Sequence, residues 1–193
     1  DALESARAGD PSVQPQAARL VLLLKAEAQL AAGAPVQAVA TLSSASNSPP
    51  RAETLLRAQA VEQAFHRGTV STDLLRESAG RLQVWVAEHR DDAAAWLVLA
   101  RHHELLGSRL RALRAQAEAR ALQGDLVAAI DLLRAAQTVS RRSAGADFIE
   151  ASVVDARLRD LERQRRQLVA EMRSQRGSGN RHEDPREDPN QDT

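Results

Sequence analysis

His102, His103 and Glu104 stand in a row, and of all residues in this chain they come nearest to a chemical motif. In an HExxH helix, two histidines one turn apart hold zinc and the glutamate between them acts as base. Here His103-Glu104 is followed by Leu105, Leu106 and Gly107, so the second ligand is missing. His102 and His103 point about 100° apart on a helix and cannot chelate one ion together. The expectation is that His103 fills a slot between helices while His102 is exposed. His182-Glu183-Asp184, near the C-terminus, reads as a solvated polar stretch with at most weak metal contact. No serine stands in a Gly-x-Ser-x-Gly elbow, there is no cysteine, and no glycine loop cradles phosphate. No cofactor and no metal site are therefore expected in these 193 residues.

The elements that carry these residues are helices. Aromatic residues make up only 2% of the chain, too few for an ordinary β-sandwich or barrel. Ala, Leu, Arg, Gln and Glu dominate, and these are good helix formers. The 26 basic and 26 acidic residues cancel, which removes the broad attraction that nucleic-acid binders show. Lys25 is the sole lysine, and a basic complement made of arginine reads as genome composition before it reads as a phosphate site. The longest apolar run, Leu20 to Leu24, is far short of the ~18 residues of a membrane span. No signal peptide is recognisable, and Asp1 opens the sequence as a processed form or an excised piece would.

Apolar spacing near 3.6 predicts helices over Gln16–Ala32, Val36–Ser44 and Ala52–Arg67. Further helices are expected from Ser71 or Thr72 to near Arg90, and over Ala93–Leu106, Arg109–Leu122, Leu126–Val139 and about Asp147–Gln175. Ser71 or Thr72, Asp92 and Asp125 are the expected starts, and Gly33, Gly68, Gly107 and Gly124 the expected stops. Asn47 to Pro50 and Ser140 to Gly145 are expected breaks. Three parts follow: a lead-in over 1–15, a helical domain over 16–175, and a disordered polar tail over 176–193.

The helices repeat. Leu22 and Ala26 recur 34 residues later as Leu56 and Ala60, and Gly33 recurs 35 later as Gly68. Gly107 lies 39 beyond Gly68, which marks an insertion and an irregular joint, and Gly124 lies 17 further on. Trp96, Leu99, Ala100, His103, Gly107, Ala112 and Ala119 form the clearest unit, with Leu22, Ala26, Gly33, Ala38 and Leu42 as a second and Gly124, Asp125, Ala129 and Leu133 as part of a third. This pattern resembles the tetratricopeptide repeat (TPR) family. The resemblance implies an all-α superhelix of antiparallel helix hairpins, with His103 in the repeat's aromatic slot. The long last helix, with Val154, Leu158, Leu161, Leu168 and Met172, would cap the stack; its spacing also suits a coiled coil, but Arg165 interrupts the stripe.

A narrower resemblance covers about residues 19–170. Val84-Trp85-Val86 leading to His89 and Trp96, the Gly124-Asp125 turn, and the ending Asp155 to Leu161 are similar to the C-terminal TPR domain of BepA-like, HtpX-related periplasmic zinc metallopeptidases. This implies a periplasmic module that recruits outer-membrane β-barrel proteins and their assembly machinery, with zinc held only in a separate protease domain. The alternative is a free-standing adaptor, in the periplasm or the cytoplasm. By analogy with the family, a protein-binding groove would draw on Leu20, Leu23, Glu27, Leu30, Arg57, Val61, Phe65, Leu97, Arg101 and Glu104. The positions that hold a C-terminal carboxylate in chaperone-binding TPRs are Leu23, Glu27, Ala58, Ala94 and Val98 here, and none can donate a side-chain hydrogen bond.

Overall fold

The computed structural model of the chain describes residues 13–43, 49–142 and 147–179, and side chains over 16–43, 49–142 and 147–175. Eight helices and no strand occur among the described residues: α1 (Val13–Ala31), α2 (Pro35–Ser43), α3 (Arg51–His66), α4 (Thr72–Glu88), α5 (Ala93–Leu105), α6 (Arg109–Leu122), α7 (Leu126–Arg142) and α8 (Phe148–Gly179). The all-α expectation holds.

Glycine sets where four of these helices stop. Gly33, Gly68, Gly107 and Gly124 all have positive φ, between 66° and 84°. At each, the glycine N–H bonds three residues back and the next N–H bonds five residues further back from itself, as in Gly68 to Phe65 O and Thr69 to Ala64 O. That is the Schellman closure, and it satisfies carbonyls that a helix end leaves open. Starts are set by side chains. Ser71 Oγ accepts from Leu74 N, Asp92 Oδ1 from Ala95 N, Asp125 Oδ1 from Ala128 N, and Asp147 Oδ1 from Glu150 N.

Several expected boundaries shift. Helix α1 starts at Val13, inside the expected lead-in, with Pro15 in its first turn; the first N–H groups of a helix have no intrahelical partner, so proline costs no bond there. Helix α7 runs on through Ser140 to Arg142, because nothing before residue 143 forbids helical φ. Helix α8 continues to Gly179, four residues into the expected tail, and no proline interrupts it. Pro49 and Pro50 lie outside any helix, as the expected break requires, and the remaining expected breaks and tail lie in residues 1–12, 44–48, 143–146 and 180–193, outside the described residues.

Each helix packs on the next, and three pairs pack across one intervening helix: α1 on α3, α3 on α5, and α6 on α8. The next-but-one contact thus moves from odd-numbered to even-numbered helices near the middle of the chain. Between Gly68 and Gly107 the expected extra length appears in α4, which has 17 residues against the nine of α2.

The core consists of three clusters in sequence. The first joins α1 to α4 through Ala26, Ala38, Leu42, Val61 and Leu75. The second joins α3 to α6 around Leu82, Val86, Trp96 and Leu99, with Ala58, Ala115 and Ala119 at the close contacts. The third joins α6 to α8 through Leu113, Ile130, Leu133, Val154, Leu158 and Leu161. Alanine at these positions lets helix axes approach while a large neighbour fills the space. Ala100, Ala112 and Ala129 are buried in the same way, and Leu22 is half-buried.

Helix α8 docks by its first half. Flanking its apolar seam, Arg111 pairs with Asp147, Arg114 with Glu150 at 3.1 Å, and Glu118 with Arg157 at 2.9 Å. Residue numbers rise together along the two helices, so α6 and α8 run parallel. Beyond Glu162, Leu168 and Met172 are exposed, so the expected apolar stripe seals the stack only as far as Leu161.

Candidate functional site

The residues expected to share one groove divide among three surroundings. Arg101, on α5, donates to Glu62 on α3 at 3.0 Å. Glu104 faces α6, where it accepts from Gln116 and lies 3.6 Å from Arg109. Phe65 and Leu97 are half-buried against the first and second core clusters. Leu23 and Leu30 also pack against the first cluster, while Leu20 and Glu27 are exposed. Val61 is fully buried and so belongs to the core, not to a groove. Arg57 points elsewhere, toward α4.

That side of α3 opens into a cleft. About 860 Å³ in volume, it has α3 as floor and α2 and α4 as walls. Helices α2 and α4 are not a packed pair, which leaves the space between them. Arg57 enters it with its side chain only 12% exposed. Its Nη2 lies 3.4 Å from Glu77 Oε1, at the far edge of hydrogen-bond range, and its Nε has no partner. Glu77 is held more closely by Arg81, at 2.9 and 3.1 Å. Burial first, then the nearby Arg81 charge, pushes the Arg57 pKa down. Glu53 also lines the cleft, buried and without a side-chain hydrogen bond among the described residues; burial raises its carboxyl pKa, and the Arg19 charge partly offsets this.

At the cleft's end stands a polar clamp. The Asp92 carboxylate accepts two bonds from Arg51, at 2.7 and 2.8 Å, and one from Trp85 Nε1 at 3.0 Å, besides capping α5. It therefore ties together the starts of α3 and α5 and the end of α4. The Arg51 bonds lead the causes that hold its pKa at about 2. The Trp85 indole stacks on His89 at 3.8 Å and lines the cleft rim with Val84 and Pro49.

The histidine pair departs from expectation in one member. His103 is buried, with its Nδ1 unpartnered among the described residues and its pKa lowered to about 4, chiefly by burial and then by the Arg111 charge. His102, expected at the surface, is fully buried. Helix α5 lies between α3, α4 and α6, so adjacent residues both face protein. His102 Nδ1 donates to Val98 O at 3.0 Å, which makes Nε2 the acceptor of the Ser78 hydroxyl, also at 3.0 Å. Burial lowers the pKa of this imidazole. A Ser–His pair can activate a hydroxyl, but Ser78 and His102 are both buried and this bond serves packing.

Arg81, Trp85 and His89 recur every fourth residue on α4, share one face and line the cleft, with Glu77 one turn before them. That spacing was the sequence signal for the cleft wall, and the repeat pattern drew attention away from it. Among the described residues no group of His, Asp or Glu is arranged to hold a metal, and no helix is long and apolar enough to cross a membrane. No protein-family model and no curated protein matches this chain.

Proposed function

We propose that the chain is a protein-interaction module, a TPR-like superhelix that binds a peptide segment of a partner protein and performs no chemistry itself. The observation that carries this reading is the ordered stack, in which each helix packs on the next and α1, α3 and α5 form one layer while α2 and α4 stand apart over an open cleft. Four identical glycine closures support it, because each lets the chain reverse between consecutive helices. Apolar positions with a few charges suit an extended or helical segment.

In its finer form the module is the recruiting domain of a periplasmic zinc metallopeptidase in outer-membrane protein quality control. Zinc then belongs to a separate protease domain, and the partners are β-barrel proteins and their assembly machinery. Favouring this form, the Asp155–Leu161 ending is the docked part of α8, with Leu158 and Leu161 in the core. The alternative is a free-standing adaptor, which the coding sequence upstream of Asp1 would distinguish by lacking an HExxH domain.

A peptide array tiling an outer-membrane β-barrel protein and an unrelated soluble enzyme tests both levels. The expected result is binding to discrete spots, enriched in the β-barrel. Even binding to the two proteins would remove the finer form, and a blank array would refute the module reading.

A further inference from the structure

We propose that the cleft between α2 and α4 reads carboxylates: it takes an extended peptide by seating one Asp or Glu side chain on Arg57. The inference rests on the reading of the chain as a peptide-binding module and names the chemistry of its ligand.

Arg19, Arg57 and Arg81 line the cleft with Glu53 and Glu88. Arg57 and Arg81 share one carboxylate as ion-pair partner, Glu77, beside the cleft. Arg81 holds it at 2.9 Å, while Arg57 reaches it only at 3.4 Å. Glu53 and Glu88 form no ion pair with Arg57 among the described residues, where its one such contact is the long one to Glu77. One buried guanidinium is thus left with an unpartnered Nε and half of a shared, distant counter-ion. A buried cation in that state is costly until an anion completes it. A planar carboxylate matches the guanidinium fork and returns a charge-assisted pair of bonds.

The surroundings specify a peptide rather than a free ion. A cleft of about 860 Å³ is far larger than one carboxylate and accommodates several residues. Its rim offers apolar contact to the neighbours of the acidic residue, through exposed Val84, the Trp85 face and Pro49. Of the positions matched to the chaperone-binding carboxylate clamp, Ala58 lines this cleft, whereas Leu23, Glu27, Ala94 and Val98 do not.

The test uses fluorescein-labelled hexapeptide pools with the third position fixed as Glu, Gln or Lys. N-acetylated, C-amidated ends leave the side chain as the only fixed carboxylate. Fluorescence anisotropy with the full chain should show the Glu pool bound about tenfold more tightly than the Gln pool, as one charge-assisted pair would give. R57Q should abolish that preference. E77Q, at a half-exposed position, removes the competing carboxylate and should strengthen Glu-pool binding severalfold. A gain of affinity cannot come from misfolding, so E77Q decides the matter if R57Q does not fold. Equal binding of the three pools, unmoved by either variant, would overturn this inference and leave the module reading standing. Failure of the wild-type chain to bind any pool would overturn both.

Discussion

Replacing Asp92 should weaken three helix junctions at once. The carboxylate, almost fully buried, caps α5, takes both bonds of the Arg51 fork and accepts from Trp85 Nε1. Loss of the cap alone costs about 1 kcal/mol. Its pKa of about 2, against 3.8 for the free side chain, corresponds to roughly 2.5 kcal/mol favouring the ionised form in the fold. Arg51 is more than half exposed, so water screens its share, and the cap bond is already part of that figure. Asp92→Ala should therefore cost about 2–3 kcal/mol, a fall in Tm of roughly 5–10 °C for a chain of this size. Asp92→Asn keeps an acceptor for the cap and should cost about 1 kcal/mol. The pH dependence has a definite sign. A carboxylate whose pKa is depressed by folding contributes fully above about pH 4, and the contribution fades as pH falls from 3.8 to 2. Urea unfolding followed by circular dichroism at 222 nm, at pH 7, 4 and 2.5, measures both effects. A cost below about 1 kcal/mol for Asp92→Ala at pH 7 would refute the clamp. So would a wild-type advantage over Asp92→Asn that stayed constant down to pH 2.5.

Burial lowers the His103 pKa to about 4, so its contribution is complete above the free value of 6.5 and is lost as pH falls from there through 4. His103→Phe, which fills the space without titrating, should reduce the acid-induced loss of stability between pH 7 and 4 by about 3 kcal/mol, read from urea midpoints at each pH. Trp96 is buried, donates to Arg90 O at 3.1 Å and lies under Arg114; Trp96→Ala should cost about 3–5 kcal/mol in the same assay, and a Tm shift under a few degrees would remove it from the core. Gly107 and Gly33 separate strain from crowding. A Cβ at Gly107 meets nothing within 4 Å, so Gly107→Ala should cost only the left-handed φ, about 1–2 kcal/mol. Gly33→Ala should cost more, because its Cβ comes within 3.2 Å of the Arg67 guanidinium that donates to the Gly33 carbonyl.

The turns and starts were legible in sequence because each depends on one residue's own backbone or side chain. Gly33, Gly68, Gly107 and Gly124 need positive φ, and Ser71, Asp92 and Asp125 need only an oxygen three residues before an open N–H. What three dimensions decided was less legible. Arg57, Val61 and Phe65 share a stripe on α3, which suggested a common face. Yet the long Arg57 side chain reaches α4, while Val61, four residues on, is sealed into the first cluster. His102 was misplaced because one-faced burial is assumed for a helix, whereas α5 is covered from several sides. The Arg51–Asp92 bond joins residues 41 apart, and no local spacing announces it.

The division of the core into three clusters has a consequence for how the molecule opens. Helices α3 and α4 belong to the first and second clusters, and α6 belongs to the second and third, through Ala115 and Ala119 on one side and Leu113 and Ala117 on the other. Helices α1 and α2 can detach while the second and third clusters stay whole, and α8 can detach while the first and second do. Neither event alone uncovers Trp96. Amide hydrogen exchange should then fall into a gradient, fastest in the terminal helices and slowest in α4 to α6. Destabilising changes in α1 or α8 should speed exchange locally and leave the middle protected. The chain would behave less as one cooperative block than as coupled segments whose weakest links lie at the ends.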